Sequence, residues 1–252
     1  MDKSSFNPID CSSKKVFVTG ASSGIGRATA IYLSKLGAKL VITGRNAEQI
    51  NFTLQQLQGD GHIAIIADLV EQEDMSALFD QVVADGIKLN GLIHCAGVPS
   101  IVSIKNLTKK RLLEVFNINY FSFIELCRQY SKNKYSNEGS IVGISSIAAD
   151  RADQCQTAYS ATKSAMDISV QALAIELIKK NIRINTVLPG MIMTEIVEKS
   201  EDLGADSNSL WRSQLMGIGQ PDDVAAACAF LISDMSKFIT GRRLFVDGGS
   251  FL

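Results

Sequence analysis

The chain has 252 residues, 46% of them hydrophobic and 20% charged, so it is long enough to bury a large core in a single domain covering residues 1–252. Its formal net charge of -1, with basic residues spread along the sequence, excludes the positive field that a nucleic-acid-binding protein needs. The polar start MDKSSFNPIDCSSKK has no apolar signal core, and no segment reaches the roughly 18 apolar residues of a membrane span, so we expect a cytoplasmic protein without membrane contact.

Runs of β-branched residues alternate with helical stretches along the chain. In order, the strands are KVFVTG, KLVITG, HIAIIAD, GLIHCAG, SIVGISS, RINTVLP and RRLFVDGG, and about six helices separate them. This βαβ rhythm predicts an α/β fold, a doubly wound parallel sheet of about seven strands with helices on both faces. Ligands of such sheets bind beyond the carboxyl ends of the strands. A polar segment at about residues 191–220 interrupts the pattern and is expected to form a substrate lid.

The loop after the first strand, TGASSGIG at residues 19–26, runs directly into a helix. Glycines there let the backbone approach a pyrophosphate, and the helix N-terminus offers free N–H groups and the positive end of a dipole. A glycine-rich turn that merely reverses the chain is the alternative, but the position after the first strand favours a dinucleotide site. The candidate contacts are Gly20, Ser22, Ser23, Gly24, Ile25 and Gly26.

The end of the second strand bears on the choice of cofactor. Thr43-Gly44-Arg45 carries no acidic side chain for a ribose 2′-hydroxyl, and Arg45 is placed to meet a 2′-phosphate, so NADP(H) is favoured while NAD(H) stays possible. In a second interpretation Arg45 is only solvated. Asp68, followed by Leu69 after the third strand, suits a hydrogen bond to adenine, but an aspartate there is equally a helix cap.

A candidate catalytic group follows the fifth strand. Tyr159 and Lys163 are spaced i, i+4 near the start of a long helix, so their side chains share one face. A free tyrosine ionises near pH ~10, and a neighbouring ammonium favours the ionised form. Ser146, at the carboxyl end of the fifth strand, can donate to a substrate carbonyl oxygen. Together with the glycine loop, this trio predicts hydride transfer between a nicotinamide and a carbonyl or secondary alcohol, with Tyr159 as proton donor.

From about Lys14 onward, these motifs resemble the short-chain dehydrogenase/reductase family, in its ordinary short branch, and its 3-oxoacyl-acyl-carrier-protein reductase-like members. TGASSGIG is similar to the family's TGxxxGxG, CAG at 95–97 to the end of NNAG, YSATK at 159–163 to YxxxK, and PGMIMT at 189–194 to PGxxxT. The resemblance implies a single-domain Rossmann fold that binds NAD(P), a small-molecule substrate, and a homotetramer or homodimer.

The resemblance also implies residue roles. Asn119 would be the fourth catalytic residue, holding a water that links Lys163 to solvent, with Asn117 as the alternative. Lys163 would bind the nicotinamide ribose. The further cofactor contacts that it implies are Ala96, Gly97, Pro189, Gly190, Ile192 and Thr194.

Four departures from the family pattern temper this transfer, of which one, Asn90 where an aspartate is common, affects no catalytic step. His94-Cys95 replaces two asparagines, and we interpret His94 as a satisfied core histidine rather than a catalytic one. Gly217 stands where an arginine is common, which puts the attachment of the lid in doubt. Ile175 stands where acyl-carrier-protein-dependent reductases tend to carry a basic residue, which weakens that substrate assignment.

The family resemblance also implies that the lid segment mainly determines which substrate is bound. Trp211, Leu215 and Met216 could line an apolar pocket, although packing explains them better. The polar residues between Ser146 and Tyr159 raise a further hypothesis, that Arg151 or Gln154 bonds a polar substrate. Acidic residues on the lid argue mildly against an anionic carrier docking there. They are Glu195, Glu198, Glu201 and Asp202.

Three other functions compete with this interpretation. A serine hydrolase is disfavoured because GISSI lacks the second glycine of a nucleophile elbow. A non-catalytic nucleotide sensor or scaffold is disfavoured because all the catalytic side chains are present. A sugar-nucleotide epimerase of the same superfamily would need a longer chain.

The histidines and cysteines are too few and too scattered to predict a metal site. Two histidines and five scattered cysteines, none in a CxxC pair, supply no metal site and favour reduced thiols. The helix that carries Tyr159 is apolar on more than one face, from Ile168 to Ile178, which suggests a homo-oligomer; a broad stripe buried inside the subunit is the alternative.

Overall fold

The computed structural model describes residues 9–71, 75–195 and 214–250, which form one seven-stranded parallel sheet. The strands are β1 (Lys15–Thr19), β2 (Lys39–Gly44), β3 (Ile63–Ile66), β4 (Leu89–His94), β5 (Ser136–Ile144), β6 (Ile182–Pro189) and β7 (Arg243–Val246). Their order across the sheet is β3-β2-β1-β4-β5-β6-β7. The predicted doubly wound α/β fold is therefore confirmed.

Seven α-helices pack on the sheet within these residues. They are α1 (Gly24–Lys35), α2 (Ala47–Gln55), α3 (Met75–Val82), α4 (Lys109–Phe116), α5 (Ser122–Tyr130), α6 (Thr157–Leu177) and α7 (Pro221–Ile232). The stretch after β4 from residue 109 to 130 contains two α-helices, α4 and α5, which the π-helical turn Asn117–Phe121 joins. Within the three described ranges, no helix combines the length and the apolar character that a bilayer crossing requires.

Alternation along the buried strands divides the core between the two faces of the sheet. In β1, Phe17 belongs to the core cluster on the α3, α5 and α6 side, whereas Val16 and Val18 belong to the cluster under α1, α2 and α7. Successive side chains of a strand point to opposite faces, so a strand covered on both faces is apolar at every position. The helices therefore cover both faces of β1.

The strand order reverses direction at β1, and this reversal places the site. The connections from β1 run outward to β2 and β3, whereas β4 to β7 extend on the other side. Thr19, the last residue of β1, pairs with His94 of β4 and with Thr43 of β2. A crevice opens where the loops after β1 and β4 diverge, at the carboxyl edge of the sheet.

A buried ion pair anchors the opposite end of β1. The ammonium of Lys15 donates to the carbonyl oxygens of Val82 at 2.7 Å and Ile87 at 3.2 Å, and to the carboxylate of Asp85 at 2.5 Å. Burial raises the pKa of Asp85, but the bonds from Lys15 and from the Ile87 N–H outweigh it and lower that pKa to about 2. Asp85 is therefore a carboxylate in the folded protein at neutral pH.

Replacing Asp85 by Asn should lower the free energy of unfolding by about 2–3 kcal/mol, because the Lys15 ammonium is left buried without its counter-charge. Since the folded pKa lies below that of an unfolded aspartate, this stabilisation is present above about pH 4 and lost as the pH falls through about 2. Urea unfolding at pH 7 measures the change, with Asp60→Asn on the surface as control. Equal stability of the two variants would contradict the assignment.

Candidate active site

A cleft of about 460 Å³ opens at the carboxyl edge of the sheet, between the loops that follow β1, β2, β4, β5 and β6. Every residue assigned from the sequence to cofactor contact lines it, from Gly20 to Thr194. Ser146, Tyr159 and Lys163 line its other end. The cleft thus brings the glycine loop and three of the four candidate catalytic side chains to one site.

Two glycines are required by the close approach of backbones at the floor of the cleft. Gly20 has a φ of +66°, and a Cβ there would lie 2.6 Å from the backbone nitrogen of Ala96. A Cβ on Gly26 would overlap the carbonyl oxygen of Gly20. Since atoms cannot approach this closely, neither position accepts a side chain without moving the loop.

The start of α1 is left open toward the cleft. The Ser23 side chain makes no capping hydrogen bond to the described residues, whereas Asn46 caps α2 through the N–H of Gln49 and Thr108 caps α4 through that of Arg111. The first N–H groups of an uncapped helix bind anions, and the helix dipole has its positive end there. The glycine cradle and these free donors fit a dinucleotide pyrophosphate.

Arg45 and Asp68 mark the end of the cleft beside β2 and β3. The Arg45 side chain is 66% exposed, and its Nη1 lies 3.6 Å from Oδ2 of Asp68. The other carboxylate oxygen of Asp68 accepts a hydrogen bond from the Val70 N–H at 2.9 Å. For Asp68 the structure shows a local contact with the backbone of Val70. The second carboxylate oxygen of Asp68 faces the cleft. Arg45 is free to turn toward a ligand at little cost, because an exposed ion pair of this kind contributes little.

Tyr159 and Lys163 lie one turn apart at the start of α6, as their spacing predicts. Lys163 is only 4% exposed; its Nζ donates to the Ile144 carbonyl at 2.7 Å and lies 5.7 Å from the centre of the Tyr159 ring. Burial lowers the pKa of Lys163 to about 8, although the nearby Asp167 raises it. The ammonium bonds a main-chain oxygen rather than the tyrosine hydroxyl, a partner that the spacing alone does not reveal.

The hydroxyl of Ser146 faces Tyr159 from the end of β5. Its Oγ accepts a hydrogen bond from the Ala148 N–H at 3.1 Å, which starts the short helix Ile147–Ala149. Burial raises the pKa of Tyr159, and the hydrogen bond with Ser146 lowers it by less. A tyrosine with a raised pKa keeps its proton near neutral pH, so it is available as a proton donor.

Asn119 lies behind the cleft in the π-helical turn and is fully buried. Its Oδ1 accepts from the Val98 N–H at 2.8 Å, and its Nδ2 donates to the Val98 carbonyl at 3.0 Å and to Oγ1 of Thr162 at 3.2 Å. A Cβ on Gly97 would lie 3.2 Å from Asn119 Oδ1 and 3.5 Å from Lys163 Nζ. Asn119 therefore lies beside Lys163.

His94 joins the ends of β1 and β4. Its Nδ1 lies 3.0 Å from Oγ1 of Thr19, which accepts the Ala96 N–H at 3.3 Å. Burial lowers the pKa of His94 to about 3, so the ring is neutral. The histidine thus joins the strands and leaves the backbone of Ala96 and Gly97 on the cleft.

Contacts that the sequence did not predict join the two described parts of the segment expected to form a lid. Gln214 bonds both backbone groups of Met191 and donates to the Gly217 carbonyl at 2.7 Å. Ile192 pairs with Gly219 in a parallel bridge. Gly217 has a φ of +75°, a backbone conformation that glycine adopts without strain. Trp211 and the acidic residues 198, 201 and 202 lie outside the described residues.

Several residues that line the cleft were not predicted from the sequence. Val98, Pro99, Ile118 and Met191 line it beside the predicted positions. Each adjoins or lies inside a motif named above, which is the signal that could have identified them. In the described ranges, no group of three or more His, Cys, Asp or Glu side chains is placed to hold a metal ion.

Comparisons with known proteins identify chains that are similar over nearly the whole length. The family model described as "Enoyl-(Acyl carrier protein) reductase" matches residues 20–250. The chain is 31% identical to Carbonyl reductase family member 4 of Danio rerio, covering 94% of this chain and 98% of that protein. It is 31% identical to a 3-oxoacyl-acyl-carrier-protein reductase of Rickettsia conorii, covering 97% and 99%. A solved short-chain type dehydrogenase/reductase from Mycobacterium ulcerans superposes with a TM-score of 0.87 at 31% identity, covering 94% of this chain and 89% of that one.

Proposed function

The chain belongs to the short-chain dehydrogenase/reductase family of oxidoreductases, which use NAD(P)(H), and on that premise we propose that it interconverts a ketone and a secondary alcohol with NADP(H). One observation carries the proposal: Ser146, Tyr159 and Lys163 converge at one end of the cleft whose other end is the open glycine cradle. The named relatives, a carbonyl reductase and a 3-oxoacyl reductase, support the same bond chemistry.

In the proposed mechanism the cradle of Gly20 and Gly26 binds the pyrophosphate, and Lys163 bonds the nicotinamide ribose. When bound, the nicotinamide supplies the hydride. The hydroxyl of Ser146 accepts the Ala148 N–H, so its own proton is available to the substrate carbonyl oxygen. Tyr159, protonated at neutral pH because burial raises its pKa, gives its proton to the alkoxide as charge develops there.

Lys163 and Asn119 complete the proposed proton pathway. The positive charge of Lys163 favours the tyrosinate that remains after proton transfer. Asn119 lies beside Lys163, and its side chain fixes the strand-end loop at Val98 against α6 through Thr162. A water held in this turn would return a proton to Lys163 and then to Tyr159.

Arg45 supports NADP(H) as the preferred cofactor. It is the charged residue at the end of β2, it lines the cleft, and its exposed guanidinium can bind a 2′-phosphate in a bidentate way. Replacing Arg45 by Ala should weaken NADPH binding about 10- to 100-fold, because charge-assisted hydrogen bonds are lost, and leave NADH binding unchanged. Calorimetric titration with both cofactors measures the difference.

The matched control is Arg111→Ala, which removes an exposed arginine from α4 outside the cleft. It should leave both affinities unchanged. Equal loss of NADPH and NADH affinity in Arg45→Ala would contradict a 2′-phosphate contact. Tighter binding of NADH than NADPH to the unmodified protein would overturn the cofactor assignment.

The activity itself is tested by following NADPH absorbance against a panel of acetoacetyl thioesters, steroids, small diketones and keto-sugars. We expect turnover of one of these carbonyl classes. Substituting Arg151 by Ala tests whether a polar substrate uses that exposed side chain, since kcat/KM for that class would fall. Tight NADPH binding with no turnover of any carbonyl would favour the nucleotide-sensor alternative.

We also propose that α6 contributes to a homodimer or homotetramer. Along this helix Val170 and Leu177 are buried against the sheet, whereas Ile168 is 62% and Ile175 76% exposed. The apolar surface therefore extends beyond the part that the fold covers, and a second subunit would bury it. Light scattering at micromolar concentration tests the assembly, and a monomer would contradict it.

A further inference from the structure

The burial of Lys163 creates an electrostatic requirement. Its Nζ donates to the Ile144 carbonyl, and its side chain is almost fully removed from solvent. A buried ammonium is unfavourable unless an opposite charge compensates it. The carboxylate placed to do so is Asp167, one turn further along α6, which is likewise only 4% exposed.

Asp167 itself lacks conventional partners. Neither of its carboxylate oxygens accepts a hydrogen bond of ordinary geometry from the part of the chain that the structure describes. The hydroxyls of Ser145 and Thr186 face it, and Nη1 of Arg243 lies 3.8 Å from its Oδ2. A buried carboxylate that the fold does not use for hydrogen bonding needs an electrostatic explanation.

Arg243 connects this carboxylate to the loop that carries Ser146. It starts the edge strand β7, and its guanidinium also pairs closely with Asp150, which follows the short helix after Ser146. A second contact joins the same loop to α6, because the Ser164 hydroxyl donates to the Ala149 carbonyl at 2.6 Å. The chain Asp150, Arg243, Asp167 therefore leads from the surface to the helix of Tyr159 and Lys163.

We propose that Asp167 is a positioning residue that keeps Lys163 in its ammonium form, and that Arg243, held by Asp150, keeps Asp167 ionised for this purpose. Asp167 touches neither substrate nor cofactor in this arrangement and acts through Lys163. The inference rests on the proposed function for its catalytic meaning, but the charge state of Lys163 is a property of the protein alone.

The other groups around Lys163 are neutral near pH 7 to 8. On the β4 side, burial lowers the pKa of His94 to about 3 and raises that of the Cys95 thiol to about 12. On α6, burial raises the pKa of Tyr159. Asp167 thus provides the negative charge at this point, and its removal should lower the pKa of Lys163 below the value of about 8 that it has here.

The first experiment measures Lys163 directly in the cofactor-free protein. Lysine labelled with ¹³C at Cε is titrated by NMR, and the Lys163 signal is assigned by its disappearance in Lys163→Arg. We expect Asp167→Asn to move the Lys163 titration to lower pH. Glu176→Gln, which removes an exposed carboxylate from the same helix, should not move it. An unmoved Lys163 titration in Asp167→Asn would overturn the inference, whatever the enzyme's activity.

Arg243→Gln provides a second variant that leaves the buried carboxylate in place. Burial raises the pKa of Asp167, and Arg243 is one of the groups that oppose this rise, so without the guanidinium Asp167 is ionised less. The Lys163 titration should therefore shift in the same direction and by less than in Asp167→Asn. A shift in the opposite direction would contradict the role assigned to Arg243.

The pH dependence of turnover links the charge to catalysis. In Asp167→Asn the alkaline limb of kcat/KM should move to lower pH, and kcat/KM at pH 8 should fall about three- to tenfold, while NADPH affinity at pH 6.5 stays unchanged. A uniform loss of rate at every pH would indicate a merely structural role and contradict the proposal. If the NMR titration shifts but the unmodified protein reduces no carbonyl, the proposed function fails and the inference about Lys163 stands.

Discussion

Replacing Tyr159 by Phe is expected to lower kcat for carbonyl reduction about 1,000-fold and to leave the Kd for NADPH within about twofold of its original value. General acid catalysis by a positioned side chain contributes about 10²- to 10⁴-fold, and the ring that packs beside Lys163 is retained. The loss corresponds to about 4 kcal/mol of transition-state stabilisation. Single-turnover kinetics and calorimetry measure the two quantities on the same preparation.

Tyr120→Phe is the matched control for this substitution. Tyr120 lies in the same π-helical turn as Asn119, and its hydroxyl bonds the hydroxyl of Ser169 at 2.9 Å. Tyr120 does not line the cleft. The control should keep kcat within about threefold. A Tyr159→Phe variant that retains most of its kcat would require another proton donor, and Ser146 is the next group to test.

The sheet was predictable because its physical cause is local in the sequence. Val16, Phe17 and Val18 are apolar at successive positions, which is typical of a strand buried on both faces. The interruption between α4 and α5 was not predictable in this way. Helical periodicity is continuous from residue 109 to residue 130. The π-helical turn at Asn117–Phe121 contains one more residue than an α-helical turn, and no change in amino-acid composition marks it in the sequence.

Spacing predicted the meeting of Tyr159 and Lys163, because a helix fixes the direction of residues four apart. The position of Asn119 could be inferred from family resemblance alone, since it depends on contacts with Val98 and Thr162 from distant elements. Arg243 and Asp167 form an ion pair between β7 and α6 that no local pattern encodes. Because these two residues are far apart in the sequence, the charges around Lys163 could not be predicted before the fold was known.

The glycine loop gives the second large effect. Replacing Gly26 by Ala should weaken NADPH binding at least about 100-fold, equivalent to about 2.7 kcal/mol. The new Cβ would overlap the carbonyl oxygen of Gly20 and lie 2.7 Å from its carbonyl carbon, and both are backbone atoms that cannot rotate away. The start of α1 must therefore move away from the loop after β1, and its free N–H groups no longer converge on the pyrophosphate.

Gly86→Ala separates this effect from a general loss of stability. Gly86 has a φ of +76° with no heavy atom near the added Cβ, so an alanine there costs about 1 kcal/mol of folding stability through backbone strain alone. It lies outside the cleft and should leave NADPH affinity unchanged. Circular dichroism verifies that both variants are folded, and calorimetry compares their affinities. Unchanged affinity in folded Gly26→Ala would show that the pyrophosphate does not bind against this loop, because the overlap with Gly20 leaves the loop no way to keep its present geometry.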